Sequence, residues 1–237
     1  MVCRLVLLPG LDGTGDLFAP LLQALPLSMQ PVVVTYPAGQ AMSYEALLEH
    51  VQKLLPTDQP YVLLGESFAG PLALMLAARQ QAVPAPCLRG VVLCCSFACN
   101  PRPGLGVLAP LLQLALPRPP WWAVNMALLG AWTKPALQAA VRHAVGRVSV
   151  AVLRQRLQAV VKVDARAHLA QLRVPVLYLR ALHDRLVPTT VASQMQQFLP
   201  HMQVLDAQAP HGLLQTQPQW AAEALQRFVQ AVTCRET

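Results

Sequence analysis

The stretch Tyr61–Leu76, YVLLGESFAGPLALML, is apolar except where Glu66 and Ser67 interrupt it. Tyr61–Leu64 suits a buried strand, and Pro71 onward suits a helix. A polar serine therefore sits where a strand turns sharply into a helix, between Gly65 and the small residues Ala69 and Gly70. Small neighbours let strand and helix approach closely, and the helix N-terminus favours developing negative charge. Those are the requirements of a nucleophile held up for attack. The usual G-x-S-x-G spacing has glycine two residues after the serine, where this chain has Ala69. The competing reading is a serine that merely caps a buried helix.

The flanking sequence sets the class. Strand-like runs recur at 3–8, 32–36, 61–64, 90–95, 174–180 and 202–205, apolar throughout rather than alternating, as parallel strands covered on both faces require. Helical patterns intervene at 17–25, 44–55, 68–80, 189–198 and 218–232, with Ser43 as an N-cap and Pro56 as a stop. Alternating strands and helices predict an α/β fold with right-handed crossovers around a mostly parallel sheet of about six strands.

Composition narrows the rest. At 237 residues, 54% hydrophobic and 12% charged, the chain suits one large domain with a full core. No uninterrupted apolar run reaches a membrane span, and the short N-terminal run makes a poor signal peptide, so a cytoplasmic protein is expected. The six cysteines contain no C-x-x-C, which leaves zinc little support. Adjacent Cys94 and Cys95 are expected on opposite faces of a strand, as small core residues. The net charge of +7 is uneven. Residues 98–172 carry nine basic side chains, among them Arg118, Arg142, Arg147, Arg154, Arg156, Lys162 and Arg166, against the single acid Asp164. That segment nets +8 and the rest of the chain −1; it is also proline-rich, and reads as an insertion. The domain plan is thus 1–97 for the first part of the core, 98–172 for the insertion and 173–237 for the second part. Its basic residues are scattered among apolar ones without a nucleic-acid-binding motif, so nucleic acid is not expected as a partner.

A serine nucleophile needs a base, a group that orients the base, and donors for the oxyanion. His211 lies in a loop between the last strand and the final helix, and is the expected base. Asp184, in the loop after 174–180, is the expected orienting acid; Asp206, five residues before His211, is the reserve, and His183 lines the loop. The oxyanion donors are the N–H of Phe68, next after the nucleophile, and that of Leu11 in the loop LPGLDGTGD after the first strand. As a phosphate cradle that loop lacks G-K-[ST], and Asp12 and Asp16 would repel phosphate.

Together these residues resemble the α/β-hydrolase superfamily, in the chain order Ser67, Asp184, His211. LLPGLDGTG with GESFAG is similar to the esterase region of phytyl ester synthases, and VDARAHLAQLRVPVLYLRALHDRLVP to pimeloyl-acyl-carrier-protein methyl ester esterases. The resemblance implies that 98–172 is a helical lid and that the chain starts at what is the third core strand of larger members. It implies two-step ester hydrolysis by Ser67, His211 and Asp184 without metal or organic cofactor, on a small-molecule acyl ester. Members often have His-Gly before the oxyanion residue, where this chain has Pro9-Gly10. Alternatives with the same residues are acyl transfer to an alcohol or thiol, demethylation of an acyl chain on an acidic carrier protein docked on the basic lid, and a silent ligand receptor. Arg154 and Arg156, with the other arginines between 142 and 166, are expected on the outer face of the lid.

Overall fold

The computed structural model describes residues 3–82, 87–104 and 120–234. Six strands form one sheet: β1 (Arg4–Leu8), β2 (Pro31–Val33), β3 (Tyr61–Glu66), β4 (Leu88–Cys94), β5 (Val176–Ala181) and β6 (Gln203–Ala207). Their order is β2-β1-β3-β4-β5-β6, with every pairing parallel. The chain steps outward from β1 to β2, returns to the other side of β1 as β3, and continues in one direction to β6. The winding reverses between β1 and β3, so the loops leaving their C-terminal ends diverge and open a crevice. Leu8 pairs with Gly65 at that end, which brings the loop after Leu8 beside Ser67.

Side chains alternate between two cores. Val6, Leu8, Tyr61 and Leu63 pack with α2 (Tyr44–Gln52), α3 (Ala69–Gln81), α7 (Arg166–Ala170) and α8 (Thr190–Phe198). Leu5, Leu7, Val62 and Leu64 pack with α1 (Ala19–Ala24), α9 (Leu213–Thr216) and α10 (Pro218–Thr233). The unbroken apolar runs are explained by burial on both faces. Only the edges depart from it: β2 is half-buried and β6 is largely exposed. Ser43 caps α2 by accepting from the Ala46 N–H, but the helix ends at Gln52, ahead of Pro56.

One expectation about β4 fails. Cys95 leaves the strand with φ of +47°, so its side chain does not take the opposite face. Both thiols lie in the same core, with the sulfurs 3.9 Å apart.

Between β4 and β5 the chain forms α4 (Trp121–Leu128), α5 (Pro135–Gly146), α6 (Val150–Lys162) and α7. Its two ends meet: the Ala165 N–H donates to the Ala98 carbonyl at 2.7 Å, and Cys99 pairs with Asp164 in an antiparallel bridge. The basic side chains of this segment are not a uniform outer face. Arg147 bonds Asp16 at 2.7 Å, Arg166 pairs with Asp164, and Arg142 lies over the Trp121 ring. Arg156 contradicts its expected place altogether: it is 2% exposed and points inward. Arg118 lies outside the described residues. Among the described residues, no helix is long and apolar enough to cross a membrane.

Candidate active site

Ser67 follows the last residue of β3 and adopts φ of +50°, a left-handed conformation that non-glycine residues avoid. Three hydrogen bonds hold it there. Its N–H donates to the Cys94 carbonyl at 2.9 Å, and its carbonyl accepts from the Gly70 N–H at 3.1 Å and from Ser96 Oγ at 2.5 Å. The small neighbours are sterically required. A Cβ on Gly65 would stand 2.8 Å from the Ala69 carbonyl oxygen, and one on Gly70 would fall 1.8 Å from Ser96 Oγ. The essential glycine is thus three residues after the serine, because Ser96 occupies the space beside it. Ala69 has room.

The turn presents the Ser67 hydroxyl to His211, with Oγ and Nε2 2.8 Å apart. On the other side of the ring, Nδ1 lies 2.8 Å from Asp184 Oδ2. With Nδ1 protonated, that nitrogen donates to the carboxylate and Nε2 accepts from the serine. The remaining oxygen of Asp184 accepts from the Leu186 and Val187 N–H groups at 2.7 and 2.8 Å, which fixes the carboxylate. The loops carrying acid and base are tied directly, since the His183 N–H donates to the Ala209 carbonyl at 3.0 Å. His211 itself is 5% exposed. Burial opposes its charged form, but the negative charge and hydrogen bond of Asp184, aided by Glu66, outweigh it and raise the imidazole pKa.

The reserve acid is engaged elsewhere. Asp206 accepts from Arg180 through both oxygens, at 2.7 and 2.8 Å, and that pairing holds its carboxyl below the usual range. His183 packs on the Trp132 ring and bonds Gln208, away from Ser67 Oγ.

Opposite His211, the loop after β1 passes close to the serine: a Cβ on Gly10 would be 3.8 Å from Ser67 Cβ. Among the described residues, neither the Leu11 nor the Phe68 N–H donates to a protein acceptor. The Phe68 ring is stacked on Tyr44 at 4.8 Å, and the Tyr44 hydroxyl donates to the Phe68 carbonyl at 2.8 Å. Phe68 follows the serine directly, and Leu11 follows Gly10 in the loop that passes beside it.

Four contributors are not assigned by the sequence pattern. Ser96 and Tyr44 brace the turn. Glu66 is buried beside the serine, and burial pushes its carboxyl up to about 7 against the opposing hydrogen bond from Gln215 Nε2 at 2.9 Å. Arg156 reaches in from α6. The glutamate does carry a signal in the sequence, because a charged residue at a strand end inside an otherwise apolar run needs a partner.

Comparison with known proteins bears on the fold that carries this geometry. Residues 4–218 match a family described as alpha/beta hydrolase fold. Phytyl ester synthase 1, chloroplastic, of Arabidopsis thaliana is 35% identical over 85 residues, which are 33% of this chain and 12% of that protein. The chain thus spans only a small part of that relative. The enol-lactonase of Burkholderia xenovorans LB400 superposes with a TM-score of 0.78 at 18% identity, covering 97% of this chain and 92% of that one. A thermophilic esterase from Thermogutta terrifontis gives 0.77 at 17% identity, covering 97% and 90%. At such identities the likeness is one of fold.

Proposed function

The chain belongs to the α/β-hydrolase fold family, and on that premise we propose that it hydrolyses carboxylic esters through a serine nucleophile. The observation that carries the reading is the continuous path from Ser67 Oγ through His211 to Asp184, with 2.8 Å at each step, at a serine held in a left-handed turn. His211 takes the hydroxyl proton as Ser67 attacks the ester carbonyl, and the tetrahedral oxyanion is received by the Leu11 and Phe68 N–H groups. The imidazolium returns the proton to the departing alcohol, leaving an acyl-serine. Water, deprotonated by the same nitrogen, then releases the acid. Asp184 keeps Nδ1 protonated and stabilises the imidazolium. In this reading residues 98–172 form the lid of the site, and the groups already present need no metal or organic cofactor.

A second reading, acyl transfer to an alcohol, is favoured by the similarity to a phytyl ester synthase. The acyl-serine would be the same and only the acceptor would differ. Docking of an acidic acyl carrier protein retains the exposed Arg142 and Lys162, but not the buried Arg156.

The test is labelling with a fluorophosphonate and turnover of p-nitrophenyl esters, with and without a long-chain alcohol. Wild type should be labelled on Ser67, and Ser67→Ala should lose both labelling and turnover while melting at an unchanged temperature. Labelling at another residue, or turnover by the alanine variant, would remove the assignment. Ester formation from added alcohol at the expense of free acid would select the transferase.

A further inference from the structure

We propose that Arg156 is a positioning residue for the oxyanion loop, holding the peptide after Leu11 so that the Leu11 N–H stays turned toward Ser67. The inference rests on the assignment of Ser67 and Leu11 made above and adds a remote group that keeps them in register.

Arg156 lies on α6, 145 residues along the chain from Leu11. Its Nη1 donates to the Leu11 and Asp12 carbonyls, both at 2.8 Å, and its Nη2 donates to the Pro37 carbonyl at 3.2 Å. The guanidinium also lies over the Tyr36 ring, 5.4 Å from its centroid. Among the described residues, Arg156 takes part in no salt bridge with a carboxylate. The nearby Asp12 side chain is instead turned onto the Thr14 N–H and hydroxyl. A guanidinium taken out of water is strongly disfavoured unless its donors are satisfied. Here three of its five N–H groups are taken up by carbonyls of the loops after β1 and β2. Their arrangement is therefore set by the cation that fits among them.

The geometry connects this anchor to the oxyanion. The Leu11 carbonyl bonded to Arg156 fixes the peptide on one side of that residue. On the other side, the Gly10 carbonyl accepts from the Gly13 N–H at 3.1 Å. In a trans peptide the N–H points opposite to the carbonyl. With the Gly10 carbonyl engaged by Gly13, the Leu11 N–H faces away from that turn. Both peptides flanking Leu11 are thus held, one by a local turn and one by Arg156. Gly13 admits the guanidinium: its φ is +68°, and a Cβ there would stand 2.6 Å from Nη1. Burial also removes Arg156 from any docking surface.

The test compares wild type, Arg156→Lys and Arg156→Met as full-length proteins on a p-nitrophenyl ester. Inhibition by an alkyl trifluoromethyl ketone, which forms an oxyanion on the serine, is measured alongside binding of the product carboxylate. Loss of one oxyanion donor lowers kcat by about 10²–10³. We expect Arg156→Met to approach that range with KM changed less than about threefold, and ketone inhibition to weaken in parallel with kcat. Product binding should be unmoved, and Arg156→Lys, which keeps the charge and some donors, should fall between. If Arg156→Met does not fold, the same split between kcat and KM is read from Arg156→Lys. A folded variant with unchanged kcat, or one that alters only KM, overturns the positioning role while the serine assignment stands. A wild type that is neither labelled on Ser67 nor active overturns both.

Discussion

The two loops that meet at the crevice are built in different ways. The turn at Ser67 is largely self-contained: β3 runs in, α3 runs out, and Gly65, Ala69 and Gly70 lie within three residues of the serine. Its distant supports are few and come from neighbouring elements: the Cys94 carbonyl and the Ser96 hydroxyl at the end of β4, and the Tyr44 hydroxyl from α2. The loop after β1 has the local Gly10–Gly13 turn, but its Leu11 and Asp12 carbonyls are held by Arg156 from a helix beyond the fourth strand. On the proposed assignment, the nucleophile is held mainly by its own strand and helix, and the oxyanion donor depends on a different part of the chain.

The sharpest way to separate the two acids on the nucleophile's side is kinetic. Asp184→Asn should lower kcat on the order of 10⁴-fold, because the base then takes the wrong tautomer. Asp206→Asn removes only a partly exposed pair with Arg180. It should leave the rate unchanged and shift stability by less than about 1 kcal/mol. A larger kinetic loss in the second variant would reverse the assignment.

The serine turn can be broken at the support it takes from Ser96. Gly70→Ala drives a methyl onto Ser96 Oγ, and overpacking of that kind destabilises by about 1–3 kcal/mol. It should also slow hydrolysis, since the same hydroxyl holds the Ser67 carbonyl. Adding Ser96→Gly should recover part of the stability but not the rate. Urea unfolding and kcat on the single and double variants measure this, and additive losses in stability would mean that the two residues do not share the space.

A pH-dependent effect concerns the buried glutamate that precedes the serine. Burial raises Glu66 from 4.5 to about 7. Between those values the folded chain holds a proton that the unfolded chain has released, so stability falls as pH rises through that window and levels off above it. Glu66→Gln should therefore be the more stable protein at pH 8, by up to about 3 kcal/mol, and should match wild type near pH 4. His211 also loses a negative neighbour in this variant. The limb of kcat/KM governed by the neutral imidazole, placed above the ordinary histidine value of about 6.5, should move to lower pH. A variant that is less stable at pH 8, or whose limb moves upward, contradicts the sign.

What can be read from the sequence follows the same division. Gly65, Ser67 and Gly70 are close neighbours, and strand, turn and helix signals agree there, so the turn is legible from its residues alone. Asp184 and His211 are legible because each sits in a loop after an apolar strand, where few other polar groups compete. Arg156 is not. On a helix with Arg154 two residues away, an arginine has the pattern of a solvated face, and only tertiary packing shows which one turns inward. Cys95 departs from its expected face for a related reason: strand alternation assumes that the strand continues, and a left-handed residue at its end breaks the period.

The junction at Ala98 and Ala165 has a consequence for variation in this chain. Because the chain between β4 and β5 is bonded to itself at Ala98 and Ala165, the sheet meets it as a closed loop. The entropy of closing such a loop grows slowly, by about 0.6 kcal/mol for each doubling of length. Insertions and deletions between the ends should therefore be nearly neutral for the strands on either side. The limits on length come from the crevice instead, where Leu128 accepts from the Gly212 N–H beside His211 and Arg156 reaches Leu11. Selection for chain length here would act on turnover, with folding almost indifferent to it.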